Sequence, residues 1–275
     1  MVAKNIKPTL PLTLGTAALL IAGGGAAYWY FSQPKAGPTD LPVGVEVVPQ
    51  DALMAISVTT DPGQWQQLRQ FGTPQSQAAL DSNLAQVRDR ILTANGFNYQ
   101  KDIQPWVGEE VTLAFLGQKP PFTAPPGSPN QQPVVAILPI RDPLKAKEVL
   151  EGSRVSPAGK MVQRTYKGFQ IQETQGSKTQ NFSATVLDAK YLVVATDAKS
   201  IDRAIDTYKG EANLAETPGY KKALGQVKVD QPFGKVYVNL PAAAAISAAN
   251  AGKPVTPEGQ AQIQQNQGLA GTVTL

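Results

Sequence analysis

The architecture of this chain is most readily recognised in residues 182–208, which read FSATVLDAKYLVVATDAKSIDRAIDTY. Two runs of strand-forming residues flank the short polar turn Asp188-Ala189-Lys190, which predicts a β-hairpin. Asp197 follows the second run, and an Asp at this place accepts hydrogen bonds from the free N–H groups of a first helical turn. Apolar residues then return at helical spacing, at Ile201, Ala204, Ile205 and Tyr208. The stretch therefore predicts a hairpin whose second strand leads directly into a helix.

The same strand-to-helix joint occurs three more times. In each, a run of strand formers meets an Asp or a Pro that suits the first turn of a helix. The joints are Ala52–Val58 into Asp61-Pro62, Val134–Leu138 into Asp142-Pro143, and Lys235–Leu240 into Pro241. Further hairpins are expected between Glu110–Leu116 and Val134–Leu138, and around Lys167-Gly168. Hairpins with helices between them predict an α+β fold, in which helices pack on a largely antiparallel sheet.

Thr-Pro pairs predict three more helix starts, at Thr73, Thr217 and Thr256. The first of these helices is amphipathic and ends near Gly96. Its apolar face consists of Leu80, Leu84, Val87 and Ile91.

The last residues, Gly271–Leu275, read as the start of a strand, and no turn or cap follows them. We expect the partner of this strand to lie outside the 275 residues, and the last six or so residues to be loosely placed. On this interpretation the chain is the amino-terminal part of a longer protein.

An uncharged stretch near the amino terminus predicts a membrane anchor. Residues 11–31 could form a helix of about 30 Å, the thickness of a bilayer core. Tyr28–Phe31 form an aromatic cluster at one end, and Lys4 and Lys7 lie beyond the other. The positive-inside rule then places residues 1–10 in the cytoplasm as a tail. A cleaved signal peptide is the alternative interpretation, with Gly25-Ala26-Ala27 as the small residues of a cleavage site.

This topology divides the rest of the chain into two parts. Residues 32–42 are rich in Pro, Gly and polar residues and are expected to form a linker. Residues 43–275 are expected to form a single α+β body in the periplasm or thylakoid lumen. A chain of this length can bury a sizeable core.

The composition excludes several classes of catalytic site. The chain has no histidine and no cysteine. Ser-His-Asp triads, HExxH zinc sites, thiolate nucleophiles and Cys-ligated metals are therefore excluded. Enzymes that rely on carboxylates, Lys or Tyr remain open.

The net charge of +4 does not indicate a nucleic-acid-binding protein. Seven basic and three acidic residues lie between Arg141 and Lys167, but no nucleic-acid motif or aromatic pattern accompanies them. A solvated surface is the main interpretation, with weak attraction to anionic lipid headgroups or an acidic partner as the alternative.

Three stretches resemble a bacterial family, frequent in cyanobacteria, known as domain of unknown function 3352. They are Pro49–Ala52, Asp102–Ala114 and Leu214–Leu224, and the most specific is Pro-Trp-x-Gly-Glu-Glu at 105–110. The likeness spans roughly residues 40–275. It implies one N-terminal membrane segment and a body longer than this one. It implies no activity, so no functional residue is carried over.

Several features could carry chemistry, and each has a plainer structural interpretation. Glu109 and Glu110 are adjacent carboxylates, but neighbours in a strand point to opposite faces and do not readily share a metal or a proton. Trp106 is expected in the core, Gly108 in the turn before the strand, and Lys221-Lys222 on a solvated helix face. The Pro-rich segment Lys119–Pro133 could offer polyproline II contacts to a partner, although a plain hairpin loop is favoured.

We therefore identify no candidate catalytic, cofactor-binding or metal-ligating residue, and no cofactor is implied. The expected function is that of a membrane-anchored extracytoplasmic binding or scaffold protein without catalytic activity. Its expected partners are the membrane, through the N-terminal helix, and a protein of the envelope or thylakoid. An envelope enzyme that uses carboxylates or Lys, for example a hydrolase, is the alternative. The sequence does not define the ligand or the oligomeric state.

Overall fold

A computed structural model describes residues 42–91, 93, 97–117, 133–151, 160–175, 183–227, 229, 231–251 and 255–275. The predicted tail and membrane helix, almost all of the predicted linker, Gly96 and nearly all of Lys119–Pro133 lie outside the described residues. The side chains of Leu80, Leu84, Val87 and Ile91 also lie outside them. Within the described ranges, no helix is both long and apolar enough to cross a membrane.

The described chain forms one antiparallel sheet with nine strands. The strands are β1 (Ala52–Thr59), β2 (Glu110–Leu116), β3 (Val134–Pro139), β4 (Lys160–Tyr166), β5 (Phe169–Gln175), β6 (Ser183–Leu187), β7 (Tyr191–Ala195), β8 (Gly234–Asn239) and β9 (Gly268–Val273). Their order across the sheet is β4-β5-β6-β7-β3-β2-β1-β8-β9. The α+β prediction, with a largely antiparallel sheet, is confirmed.

Seven α-helices follow the predicted starts in this part of the chain. They are α1 (Pro62–Leu68), α2 (Pro74–Ile91), α3 (Pro143–Glu151), α4 (Ala198–Tyr208), α5 (Pro218–Gly225), α6 (Leu240–Ala251) and α7 (Pro257–Gln265). The side chains of Asp61, Asp197 and Thr256 cap their helices as expected. Thr217 precedes α5 but makes no side-chain capping hydrogen bond, so Pro218 is the stronger part of that start signal.

Apolar side chains pack on both faces of the sheet. On one face, α4, α5 and the short 3-10 turn Val45–Val47 cover a core that contains Ile137, Val193 and Tyr237. On the other face, the segment that contains the π-helical turn Tyr99–Ile103 packs with Trp106 against β3 and β7. Trp106 is fully buried, which confirms its predicted place in the core.

The two ends of the sheet differ in the chain segments that lie there. The entry end is defined by Thr59, Glu110, Pro139 and Tyr191, which lie at matching ends of their strands. It is named for the chain entering there: the Thr112 hydroxyl donates to the Val43 carbonyl at 2.8 Å. The far end is defined by Ala52, Leu116, Val134 and Asn239. The eight residues of β1 join the two ends, a span of about 25 Å.

The expectation of a carboxyl-terminal strand without a partner in this chain is wrong. β9 pairs with β8 along its whole length, from Asn239↔Gly268 to Gly234↔Val273. The sequence correctly predicted a strand here. Its partner, β8, comes earlier in the chain and is separated from β9 in sequence by α6 and α7. β9 is an edge of the sheet, so only one side of it is paired.

Candidate functional site

An open cavity of about 580 Å³ lies at the far end of the sheet. Three chain segments build most of its wall: the turn before β1, the region from α4 to the start of α5, and the joint between β8 and α6. Its lining residues are Pro49, Gln50, Asp51, Arg203, Thr207, Glu211, Ala212, Thr217, Pro218, Asn239, Pro241, Ala242 and Gln267. Amide, hydroxyl, carboxylate and guanidinium groups therefore meet here with three prolines and two alanines.

Backbone hydrogen bonds join the turn before β1 to the segment after α4. The Gln50 N–H donates to the Ala212 carbonyl at 3.1 Å, and the Leu214 N–H donates to the Val48 carbonyl at 2.8 Å. Pro49 and Asn213 form an isolated antiparallel bridge between them. Two stretches far apart in sequence are thereby fixed side by side as one wall of the cavity.

Asn239 ties a second wall to the first. Its side-chain N–H donates to the Gln50 carbonyl at 3.0 Å, and its side-chain oxygen accepts from the Ala242 N–H at 3.2 Å. Both ends of the amide are thus used within the protein, and the residue is buried. Asn239 is thus the last residue of β8, caps α6, and holds in place the turn before β1 that lines the cavity.

An ion pair closes the remaining side. The Arg203 guanidinium donates to the Asp51 carboxylate, and a second guanidinium nitrogen donates to the Gly117 carbonyl at 3.2 Å. The Arg203 side chain is 19% exposed and that of Asp51 is 47% exposed. The charge of Asp51 is therefore balanced by the Arg203 guanidinium.

Two tyrosines support the sheet face that carries α5. Tyr220 of α5 and Tyr237 of β8 meet edge to face, with ring centroids 4.7 Å apart. Burial raises the pKa of Tyr237 to about 12. Burial, together with the negative charge of Glu110 and the neighbouring Tyr237, also raises the pKa of Tyr220. Both phenols are thus held neutral, as buried structural groups.

A separate ionic cluster lies at the entry end. Glu46 accepts from the Tyr191 hydroxyl at 2.6 Å and from the Lys190 ammonium at 2.9 Å. Burial alone would raise the pKa of Glu46, but these two hydrogen bonds outweigh it and hold the pKa below its ordinary value. Burial and the Glu46 carboxylate raise the pKa of Tyr191 to about 12. The cluster fixes the 3-10 turn to the hairpin between β6 and β7.

A third charged cluster joins the β4–β5 hairpin to α4. Arg164 contacts Glu173 and Asp202, each at 2.6 Å, and Lys167 contacts Asp206 at 2.5 Å. Arg164 of β4 thus pairs with one carboxylate in β5 and one in α4, and Lys167 in the β4–β5 turn pairs with another in α4. We interpret this cluster as a support for the edge of the sheet.

The structure places the residues singled out from the sequence as follows. Glu110 points towards the entry end and pairs with Lys235 at 3.0 Å, whereas Glu109 is exposed. Lys221 and Lys222 are exposed on α5, which confirms the solvated helix face.

The cavity residues were missed as a group by sequence reasoning. Pro49–Asp51 were noted only as part of the family resemblance and Thr217-Pro218 only as a helix start within it, and the structure brings these two stretches together. Asp51 and Arg203 are 152 residues apart, so no local pattern could have paired them. Asn239 carried a local signal, because Asn directly before Leu-Pro suits a helix cap.

No metal centre is formed in the described part of the chain. There, no three carboxylates lie close enough together to hold a metal ion.

The fold and this cavity define an α+β protein with an open, polar site at one end of a large antiparallel sheet. The chain belongs to the family described as "Protein of unknown function (DUF3352)", whose model matches residues 13–275. The resemblance found in the sequence is therefore confirmed.

Among solved structures, the chain is similar to crystal forms of TP0453. Form I shares 10% identity at a TM-score of 0.41, with 78% of this chain and 68% of that chain covered. Form III shares 10% identity at a TM-score of 0.37, with 73% and 64% covered. This likeness is too distant to bear on function. No curated protein matches the chain.

Proposed function

We propose that this protein is a single-pass membrane protein whose extracytoplasmic body binds a ligand or a partner in the far-end cavity, without catalysis. The single observation that carries the proposal is the cavity itself. It is concave, it is lined by groups that donate and accept hydrogen bonds, and it is built on the ends of a sheet and helices. Sites on such elements hold their geometry well, which favours binding.

The contacts of the polar lining groups support binding over catalysis. Asn239 uses both ends of its amide to fix the walls. Asp51 is already paired with Arg203. A general base must reach a proton of the substrate, whereas these groups are committed to the shape of the site.

The anchor rests on the sequence of residues 11–31. Its charge pattern, with Lys4 and Lys7 before the helix and the Tyr28–Phe31 cluster after it, supports a cytoplasmic amino terminus. The body then lies in the periplasm or the thylakoid lumen. Two tests address this part. The chain should stay with the membrane after an alkaline carbonate wash, and protease added to intact spheroplasts should digest the body. Release of a shortened chain that begins near Tyr28 would show a cleaved signal peptide instead.

An envelope enzyme is the second candidate, because two carboxylates, those of Asp51 and Glu211, line one cavity. Such an enzyme would use them as an acid and base pair.

One experiment tests the cavity and separates the two candidates. A photo-crosslinking residue is placed at Gln50, which is exposed in the cavity wall, and at Lys221, an exposed control position on α5. Irradiation of cells should give an adduct at Gln50 that is absent at Lys221. Equal adducts at both positions, or none, would refute a binding site here. Replacing Glu211 by Gln should leave a binding protein's adduct unchanged or weaker, whereas an enzyme's adduct should increase because the substrate is no longer consumed.

A further inference from the structure

Several large exposed apolar side chains lie at the entry end of the sheet. Among the described residues, the large exposed hydrophobic side chains are Val43, Phe71, Leu144, Leu269, Val273 and Leu275. Leu144 is 81% exposed, Val273 is 42% exposed and Val43 is 37% exposed. Leu269 alone of the six lies on a strand at the far end, and Phe71 lies in the turn between α1 and α2.

Topology places Val43, Leu144 and Val273 at the entry end. Val43 donates its N–H to Glu110 at the first residue of β2. Leu144 is the second residue of α3, and Arg141, just before this helix, donates its N–H to the Trp106 carbonyl at 2.7 Å. Val273 pairs with Gly234, the first residue of β8.

These side chains are spread along one end of the sheet, since α3 packs on the face that carries Trp106 and the turn after Val43 packs on the opposite face. They extend from the end of β3 to β9, which are separated by four strand spacings in the sheet order, or about 20 Å. A compact protein partner would need a continuous patch. A flat surface that contacts several separate side chains at the same end of the sheet suits this arrangement better than a compact partner.

The same end receives the chain from the predicted anchor. The Val43 contacts with Glu110 and Thr112 fix the start of the body there, and the eleven residues 32–42 are all that separate it from the predicted membrane helix. The cavity lies at the opposite end of β1, about 25 Å away.

We infer that the entry end rests on the lipid bilayer surface, with Leu144 and Val273 in the interface, so that the cavity opens into the aqueous compartment. Charges of both signs lie among these side chains, for example Lys145 and Asp142, which pair with each other at 3.5 Å. Apolar contact therefore drives the docking, and anionic lipid is not required. The inference rests on the anchor in the proposed function, and it adds that the ligand comes from the aqueous side.

The chain has no cysteine, so single cysteines can carry probes without background labelling. The full chain is reconstituted in phosphatidylcholine vesicles that contain a nitroxide-labelled lipid quencher. A fluorophore is attached at A189C, in the turn between β6 and β7 at the entry end, or at K199C, in the first turn of α4 at the far end. Both positions are exposed. Quenching should be strong at residue 189 and absent at residue 199.

Two matched variants test the cause. L144D should reduce the quenching at residue 189, whereas L269D, which changes an equally apolar exposed side chain at the far end, should leave it unchanged. Circular dichroism checks that each variant folds. Equal quenching at residues 189 and 199, quenching at neither, or equal effects of the two variants would overturn the inference. If the chain is instead stripped from the vesicles by alkaline carbonate, the anchor itself fails, and that result is distinct from a failed docking.

Discussion

The Glu110–Lys235 ion pair gives the sharpest test of how this body is held together. Its charged atoms are 3.0 Å apart, and the two side chains are only 19% and 12% exposed. The variant E110Q removes the charge but keeps an oxygen that can accept from the Val43 N–H, as Glu110 does now at 3.2 Å. It also leaves the half-buried Lys235 ammonium without this carboxylate.

Removal of one partner from a buried ion pair costs about 3–5 kcal/mol. Partial solvent access at this site screens the charges somewhat, so we expect a loss of about 2–3 kcal/mol in the free energy of unfolding. For a domain of this size, that loss lowers Tm by roughly 4–12 °C. Urea denaturation monitored by tryptophan fluorescence measures the free energy, and calorimetry measures Tm.

Glu109 provides a matched control, because it is the adjacent glutamate and is exposed. The variant E109Q should change the free energy of unfolding by no more than about 0.5 kcal/mol. Adding K235M to E110Q should recover part of the loss, since the half-buried charge that faced this carboxylate is removed. Equal losses from E109Q and E110Q would refute the reasoning, as would a loss of less than about 1 kcal/mol from E110Q.

Three other perturbations have defined outcomes. G268A should destabilise the pairing of β9 with β8, because a Cβ atom there would lie 2.6 Å from the Tyr237 hydroxyl oxygen; hydrogen exchange of the β9 amides should accelerate, and unchanged exchange would argue against this packing. W106F, at a fully buried site, should cost about 1–3 kcal/mol, because it leaves the partly buried Asp102 carbonyl without its indole N–H donor, whereas W65F, at a partly exposed site, should cost less in the same urea titration. The pKa values of Tyr191 and Tyr237 are raised to about 12. The contribution of these two tyrosines to the free energy of unfolding should therefore be fully present below about pH 10 and should be lost as pH rises through about 12. An absorbance titration in which all tyrosines of the folded protein ionise near pH 10 would contradict this.

Local signals in the sequence predicted most of the fold. The strand-to-helix joints at Asp61, Asp142 and Asp197 are short-range features, since a cap acts within one helical turn. The hairpin turn at Lys167-Gly168 is also local, and Lys167 adopts a positive φ of 45° there. Such elements were placed to within a residue or two.

Strand order was not predictable in the same way. Nothing near Leu269 indicates that β9 pairs with β8 across two intervening helices, and the mistaken expectation of a missing partner has this cause. The cavity was not predicted from the sequence for a related reason. Asp51, Arg203 and Asn239 meet only because β1 pairs with β8 and α4 packs on the same face, and single-sequence patterns carry no information about such long-range contacts.

The position of β1 in the sheet has a kinetic consequence. β1 is the first of the described strands to be synthesised, yet it lies between β2 and β8, so Met54 pairs with both Phe115 and Val238. Pairing of β1 with β8 closes the long chain segment between them. This closure slows folding, because the conformational entropy of that segment must be lost before the new contacts form. Until β8 has paired with β1, the backbone N–H and C=O groups along one edge of β1 are unpaired and can pair with strands of other chains. We expect the nascent chain to be open to aggregation at this edge until residue 239 has emerged.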